Sequence, residues 1–594
     1  MPYKLGEDPE KDAWYTAFFI ENHLDHLAYP DKVSSPEKVR FMVYTVDDER
    51  YYPCSDRMFE SIVNRTRSVF LQEKYNEVLQ RVIEMVSRLV EAEPEREYLK
   101  ALIHIKYKHE TRDEIMIPSR LEKRLINIFH HRTQIEDPFL FEKEIRNQRM
   151  QLIMSMEPFK NAIESVGPEF LPEPPTTVRC LNALSARLKI MRLLSLTGEK
   201  KLWETDAGAN YQTQDFEKIL DRRFAGTGEE PFLDFLGISE KACSQEYKQP
   251  KKILWLIDEA GEVQLDMAVI NHIAGLGHQI VVALKEGHLY TKVAVPDAHT
   301  DPGLQDDFSG LTWIRDPHLG KNALLDILRS DQHILLLSDG TQENLNLLLT
   351  TTTFARVFKE VDAVVSRGQD QKRRLFYSHF QFTRDVFSIA TEENGTVTID
   401  FKPCHPDAVK FSHRDLEKRA ETIISEMQQA KSKGMTVMFY SGIIGSIPGK
   451  IRMAKKIMSK TVTDIRNQAT MTLVINPSEY FEQGMDADDL MYMWEIVQRS
   501  GLIDIWRFQT YEDIARAFHR MNMKVPPEWV GKDATFSTGC TKEMKIAIDV
   551  QRRYPEMQII GPSKERFTRR EEYGVGKMYD HRLEVRDRCQ LIPD

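Results

Sequence analysis

Four short polar stretches of this sequence carry residues that could do chemistry. They are "DEAGE" (Asp258 to Glu262), "LYTK" (Leu289 to Lys292), "SDGT" (Ser338 to Thr341) and "SRGQDQ" (Ser366 to Gln371). Adjacent carboxylates such as Asp258 and Glu259 can hold a hard cation, Mg²⁺ or Mn²⁺, through oxygen. Glycine turns at helix starts present backbone N–H groups to phosphate. Arg367 can grip a phosphate with two N–H groups at once. Lys292 suits only half of that chemistry, because an ammonium attracts phosphate but repels a metal ion. The plainer alternative is that Asp258 caps the following helix and Arg367 is a surface charge. Four polar turns on one sheet edge count against it.

Each stretch follows a short apolar run: "KILWLI", "QIVVAL", "HILLL" and "DAVV". Together with "LTWI" these runs alternate with helical patterns, as parallel strands buried on both faces do. Ligands of open α/β sheets sit beyond the carboxyl ends of the strands, so the four turns are expected at one edge. "GTVTIDFKPCHPDAVKFSH" reads as a final strand and an exit. Upstream, from about Asp12 to Ser239, apolar residues recur at helical spacing, interrupted by the proline-rich "GPEFLPEPPTT", which reads as a loop.

After residue 405 a second alternation begins. Its strands are expected at "MTVMFYSG", "TMTLVIN", "IDIWRF", "ATFST" and "MQIIG". The expected fold is therefore α/β: a helical N-terminal region, a three-layer α/β/α domain and a second doubly wound domain. The boundaries read as 1–120, 121–250, 251–404 and 405–594. The last twenty residues are charged and are expected to wrap the surface or move freely.

Bulk properties narrow the function. The 594 residues are 41% hydrophobic and 29% charged, the composition of a globular protein of several domains. A net charge of −10 gives no basic face for nucleic acid or anionic membrane. No apolar run reaches the roughly 18 residues of a membrane span, and the N-terminus lacks a signal-peptide layout. Six cysteines without a CxxC pair argue against a disulfide framework or a structural zinc site, and for the cytoplasm.

The four turns occur in an order and spacing that resemble the damage-control phosphatase family, also called the acidic-residue methyltransferase-like metal-binding family. Its members read "TDNAGE…D", "K…NDAT…DA", "S.GT" and "KGQGN". This chain reads "IDEAGEVQLD", "KEGHLYTKVAVPDA", "SDGTQENL" and "SRGQDQKRRL". Upstream, "DPFLFEKEIRNQRMQLI" looks like the family's "DPY…K…N..AL" helix. The motifs span roughly residues 120–404. The resemblance implies divalent-metal-dependent hydrolysis of phosphate esters of small metabolites.

Carried over position by position, Asp258 keeps the first metal ligand and the catalytic role. Glu259 stands where the family has Asn. Lys292 stands where it has the second ligand Asp, with Thr291 replacing the Asn before it. Arg367 replaces the phosphate-contacting Lys, and Gln371 replaces the last Asn. Phosphate or substrate contacts are thus expected from Lys292, Asp339, Gly340, Thr341, Arg367 and Gln369, and metal contacts from Asp258 and Glu259. An ammonium about 4 Å from a 2+ ion repels it by roughly 8 kcal/mol at an effective dielectric of ~20. The same ammonium can instead pair with Asp258 and Glu259.

Other candidates carry less. "SGIIGSIPGK" (Ser441 to Lys450) lies between strand and helix and could cradle a phosphate or be an ordinary turn. It is no Walker motif, since Ile451 replaces the Ser or Thr that would meet Mg²⁺. Cys540 starts a helix, where a thiol pKa falls, but no His partner can be assigned and a structural role is the plainer reading. His130 and His131 are neighbours on a helix and point apart. Cys404 and His405 form no set by themselves.

Three functions follow. One is a divergent phosphatase, with Asp297 or Glu262 as third ligand. Another is a catalytically inactive protein that binds a phosphorylated metabolite and carries its output in the C-terminal domain. A third is an unrelated activity in that domain. The motif order favours the first; Lys292 favours the second.

Overall fold

The computed structural model describes residues 6–567 apart from 7, 47–48, 66–67, 166–176, 240–248, 448–449, 481 and 483. Most of the proline-rich stretch, the end of the glycine-rich turn and the charged last twenty residues lie outside the described residues. The chain forms two compact units, residues 1–408 and 409–594.

Unit one is built on a seven-stranded sheet. Its strands are β1 (Lys252–Leu256), β2 (Gln279–Leu284), β3 (Thr312–Ile314), β4 (Ile334–Ser338), β5 (Ala363–Arg367), β6 (Asp385–Thr391) and β7 (Val397–Lys402). Their order is β3-β4-β2-β1-β5-β6-β7. All neighbours are parallel except the last pair, which is an antiparallel hairpin. The sequence reading missed β6: it follows β5 with only one short helix and a two-residue strand between them, too little for a regular strand–helix period.

Strand alternation sorts the core into two layers. Leu254 and Leu256 of β1, with Val364 of β5, face the N-terminal helices. Ile253 and Trp255, with Ala363 and Val365, face the helices that cover the other side. Among the former is α1 (Val69–Leu89), which buries Leu71, Tyr75, Val78, Val82, Met85 and Val86 at helical spacing and starts on the Ser68 cap. Next to it is α2 (Pro118–Thr133), opened by a proline and ended by Gln134 in the left-handed region. The other face is covered by α3 (Leu140–Ser155), α4 (Val178–Leu196) and α5 (Glu262–Gly275). Helix α3 buries Lys143 and Asn147 among its contacts, polar residues where a core stripe would be apolar. A short helix, α6 (Gln369–Phe376), follows β5.

Unit two holds a separate parallel sheet of β8 (Thr436–Ser441), β9 (Thr472–Ile475), β10 (Ile505–Phe508) and β11 (Gln558–Ile560), in the order β9-β8-β10-β11. The stretch "ATFST" is not a strand. Asp533 accepts the Thr535 N–H and closes a 3₁₀ turn over Ala534–Phe536, after which Ser537 caps α7 (Thr538–Arg553).

Cysteine usage departs from the reading at one point. Cys180 is disulfide-bonded, whereas Cys54, Cys404 and Cys540 are free thiols. Among the described residues no helix is long and apolar enough to cross a membrane.

Candidate functional site

The turns after β1 and β2 are stitched to each other by main-chain bonds. The Val293 N–H donates to Asp258 O at 2.8 Å and the Ala260 N–H to Thr291 O at 2.9 Å. Glu259 and Lys292 form an antiparallel bridge, and Tyr290 takes φ 49° to turn the chain there. This pairing aims Lys292 at the carboxylates. Its Nζ lies 2.5 Å from Asp258 Oδ1, 3.6 Å from Glu259 Oε1 and 3.4 Å from Asp370 Oδ2.

Lys292 and Asp258 are each 5% exposed. Burial by itself lowers the Lys292 pKa, but Asp258, Asp370 and Glu259 outweigh it and hold the ammonium well above its ordinary value. Burial likewise pushes Asp370 up, and Lys292, then Arg373 and Arg81, pull it below the usual carboxylate range. Two arginines stand around the cage: Arg146, 3.8 Å from Glu259 Oε2, and Arg373, 3.2 Å from Asp370 Oδ1. Farther out, Arg81 pairs with Glu122, which also accepts the Tyr290 hydroxyl.

Asp370 was not marked as a site residue by the sequence, although it stands inside the quoted "SRGQDQ". It comes within 3.4 Å of Lys292 Nζ on a turn where residue 368 is glycine. Gly368 has φ 81°, and a Cβ there would fall 1.9 Å from Asp258 Oδ2.

The other expected contacts are not gathered at this point. Arg367 is fully buried, so it is not the surface charge of the plainer alternative. Its guanidinium donates to Asp266 Oδ1 and Glu262 Oε1, both at 2.7 Å, and to Ile389 O at 3.1 Å. The reason is the period of two: Arg367 shares the face of Ala363 and Val365 and points under α5 rather than over the sheet edge. Glu262, one of the expected third ligands, takes one of these bonds.

Asp339 and Thr341 are also turned inward. Lys285 Nζ lies 2.6 Å from Asp339 Oδ2 and 2.9 Å from Thr341 Oγ1, and the Thr341 N–H donates to Asp339 Oδ1 at 2.7 Å. The Gly340 N–H donates to Ser338 Oγ at 2.9 Å. Gln369 Nε2 donates to Thr391 O at 3.2 Å, and the buried Gln371 donates to Ile257 O at 3.1 Å.

A second cluster lies where α3 meets the turn after β2. Asp137, His288 and Asp297 form a candidate metal cluster, offering one ligand atom each within 4.8 Å of one another. Lys143 reaches into it: its Nζ is 2.6 Å from Asp137 Oδ2 and from both Asp297 oxygens, and 3.3 Å from His288 Nδ1. Asn147, one turn on, donates to Asp301 Oδ2 and accepts the Gly261 N–H, each at 2.6 Å. Helix α3 thus holds both edge turns. Asp137, Lys143 and Asn147 all stand in "DPFLFEKEIRN", which signalled the helix but not these partners.

The residues do not fit the divalent ion that the motif order implies. Where the family pattern has a carboxylate, Lys292 supplies a charged ammonium in contact with the remaining ligand Asp258. A 2+ ion there meets repulsion instead of a third donor.

In unit two, Cys540 is 1% exposed and its Sγ lies 3.3 Å from Gly442 O. Burial pushes its thiol well above the ordinary value and Glu543 adds to it, which suits a structural cysteine rather than a nucleophile.

The profile of the damage-control phosphatase ARMT1-like domain matches residues 57–408, more than half of the chain. The match starts earlier than the motifs, whose span begins near residue 120, and takes in the N-terminal helices from residue 57. Among solved structures, a DUF89 family protein from Pyrococcus horikoshii is similar at 15% identity. The similarity covers 55% of this chain and 96% of that one, with a TM-score of 0.37. No curated protein matches this chain.

Proposed function

The chain belongs to the damage-control phosphatase family through its ARMT1-like domain, and we propose that it binds a phosphorylated small molecule at the carboxyl edge of the seven-stranded sheet without hydrolysing it through a bound metal. Membership supports the ligand class, since metabolites of that kind are what the family implies. The observation that carries the loss of hydrolysis is the 2.5 Å contact of Lys292 with Asp258. A divalent ion would supply an activated water and a Lewis acid there; an ammonium supplies neither.

What remains at the edge can still attract an anion. Arg81 and Arg373 are exposed, and Arg146 lies behind them beside Glu259. Gly340 and Gln369 remain candidate contacts, whereas Asp339, Thr341 and Arg367 are committed to internal partners. Residues 409–594, outside the family match, would carry any output.

The second reading, a working phosphatase, draws on the three carboxylates Asp258, Glu259 and Asp370 around one point. Two measurements on the full chain separate the readings. The first is phosphate release from a panel of sugar phosphates with Mg²⁺ or Mn²⁺, where none above buffer is expected. The second is thermal shift with the same compounds, where at least one should raise Tm. Brisk release abolished by Asp258→Ala would establish the phosphatase. A panel that raises Tm nowhere would sink the binding reading. Restoring the family pattern with Lys292→Asp and Glu259→Asn should give measurable metal affinity.

A further inference from the structure

The cage around Lys292 has three walls from two turns: Asp258 and Glu259 after β1, and Asp370 at the start of α6. We propose that these three carboxylates form a cation site whose resident cation is the chain's own Lys292 ammonium, and that a divalent ion takes the site only when that ammonium is removed. Asp370 is the new member, standing where no family motif places a ligand.

Geometry supports the assignment. Hard cations are held by clusters of carboxylate oxygens, and an ammonium with three donors is satisfied by the same kind of cluster. Lys292 Nζ meets one oxygen of each carboxylate, at 2.5, 3.6 and 3.4 Å. Gly368 makes the third wall possible, because any side chain there would collide with Asp258 before Asp370 came within reach. Charge supports it too. Lys292 at the centre faces all three carboxylates, Arg373 adds to Asp370, and Arg146, whose nearer partner is Glu142 at 2.8 Å, stands 3.8 Å from Glu259. An additional 2+ charge meets the Lys292 ammonium between the same carboxylates. Removing Lys292 leaves a net negative cage with its oxygens already converged.

The inference shares the Lys292–Asp258 contact with the binding reading but needs no phosphorylated ligand, so the two can fail separately. The test is calorimetry with Mn²⁺ alone on the full chain. Wild type should show no Mn²⁺ site that Asp258→Asn removes. Lys292→Ala should bind one Mn²⁺, and Asp370→Asn in that background should weaken the site by about tenfold or more, as expected for losing one of three charged ligands. Mn²⁺ should also raise the Tm of Lys292→Ala by more than it raises that of wild type. One tight Mn²⁺ in wild type that Asp258→Asn abolishes would overturn the proposal, as would a folded Lys292→Ala that gains no site over wild type. Equal affinity with and without Asp370 would remove Asp370 from the cage. If Lys292→Ala folds only with Mn²⁺ present, the cage stands; failure both with and without the ion counts against it.

Discussion

Lys143 holds both carboxylate oxygens of Asp297 at 2.6 Å, across 154 positions of sequence. The pair is buried on both sides, and it ties α3 to the short helix Val295–Thr300 that follows the Lys292 turn. Breaking such a pair by removing one partner leaves a charge in low dielectric, which costs more than the pair contributes when intact.

Lys143→Met should therefore destabilise unit one by ~3–5 kcal/mol, since Asp137 and Asp297 would both lose their buried counter-charge. Denaturant unfolding followed by circular dichroism measures this. A loss below about 1 kcal/mol, the range of an exposed pair, would show that the cluster is wetter than its burial indicates.

Arg367→Ala should behave as a core mutation and not as a binding mutation. Glu262 and Asp266 would be left unpaired beneath α5, at a cost of ~3–5 kcal/mol. The folded fraction should bind phosphorylated ligands with unchanged affinity. A tenfold weaker Kd with unchanged stability would restore Arg367 to the phosphate site.

Glu543 gives unit two a pH dependence of known sign. Burial pushes its carboxyl up to about 7, although Ser441, Gln498 and Cys540 hydrogen-bond to it. Its folded pKa is above its unfolded value. The protonated group's contribution to stability is thus complete below about pH 4.5 and is lost as pH rises through 7. Glu543→Gln removes the titration. The variant should be the more stable protein at pH 8, by ~1–3 kcal/mol, with the difference shrinking toward pH 5. Melts of both proteins from pH 5 to 8 decide it, and a constant offset across that range would reject the assignment.

Cys540 should resist iodoacetamide at pH 7 to 8 until the protein is denatured, because the thiolate is the reactive form and burial suppresses it. Among the described free thiols Cys404, which is partly exposed, should label before Cys54 and Cys540. Mass spectrometry of timed digests reads the order. Labelling of native Cys540 at the rate of a free thiol would promote α7 to a catalytic candidate.

Much of the fold could be read from local patterns. Runs such as "QIVVAL" and "HILLL" are buried on both faces, so their hydrophobicity is continuous and marks the strands. The turns that follow them fall at one sheet edge for the same topological reason. That is why Asp258 and Lys292 were expected to meet, and they do, since β1 and β2 are adjacent and parallel. The strand at Asp385–Thr391 and the 3₁₀ turn at Ala534–Phe536 were not legible. One depends on a hairpin partner and the other on a side-chain bond from Asp533, and hydrophobic spacing encodes neither.

The sequence by itself determined the family, the strand–helix alternation and the presence of a lysine where a metal ligand was expected, because these reside in residue order and type. Only the tertiary structure decided which charges face one another. It sent Arg367 under α5, turned Asp339 and Thr341 toward Lys285, and brought Asp370 against Lys292. Those outcomes depend on side-chain direction at strand ends and on the approach that Gly368 permits. An ion pair acts over a few ångströms, so its partner is set by position in space, and residues far apart in the chain become neighbours only after the sheet and its helices have packed.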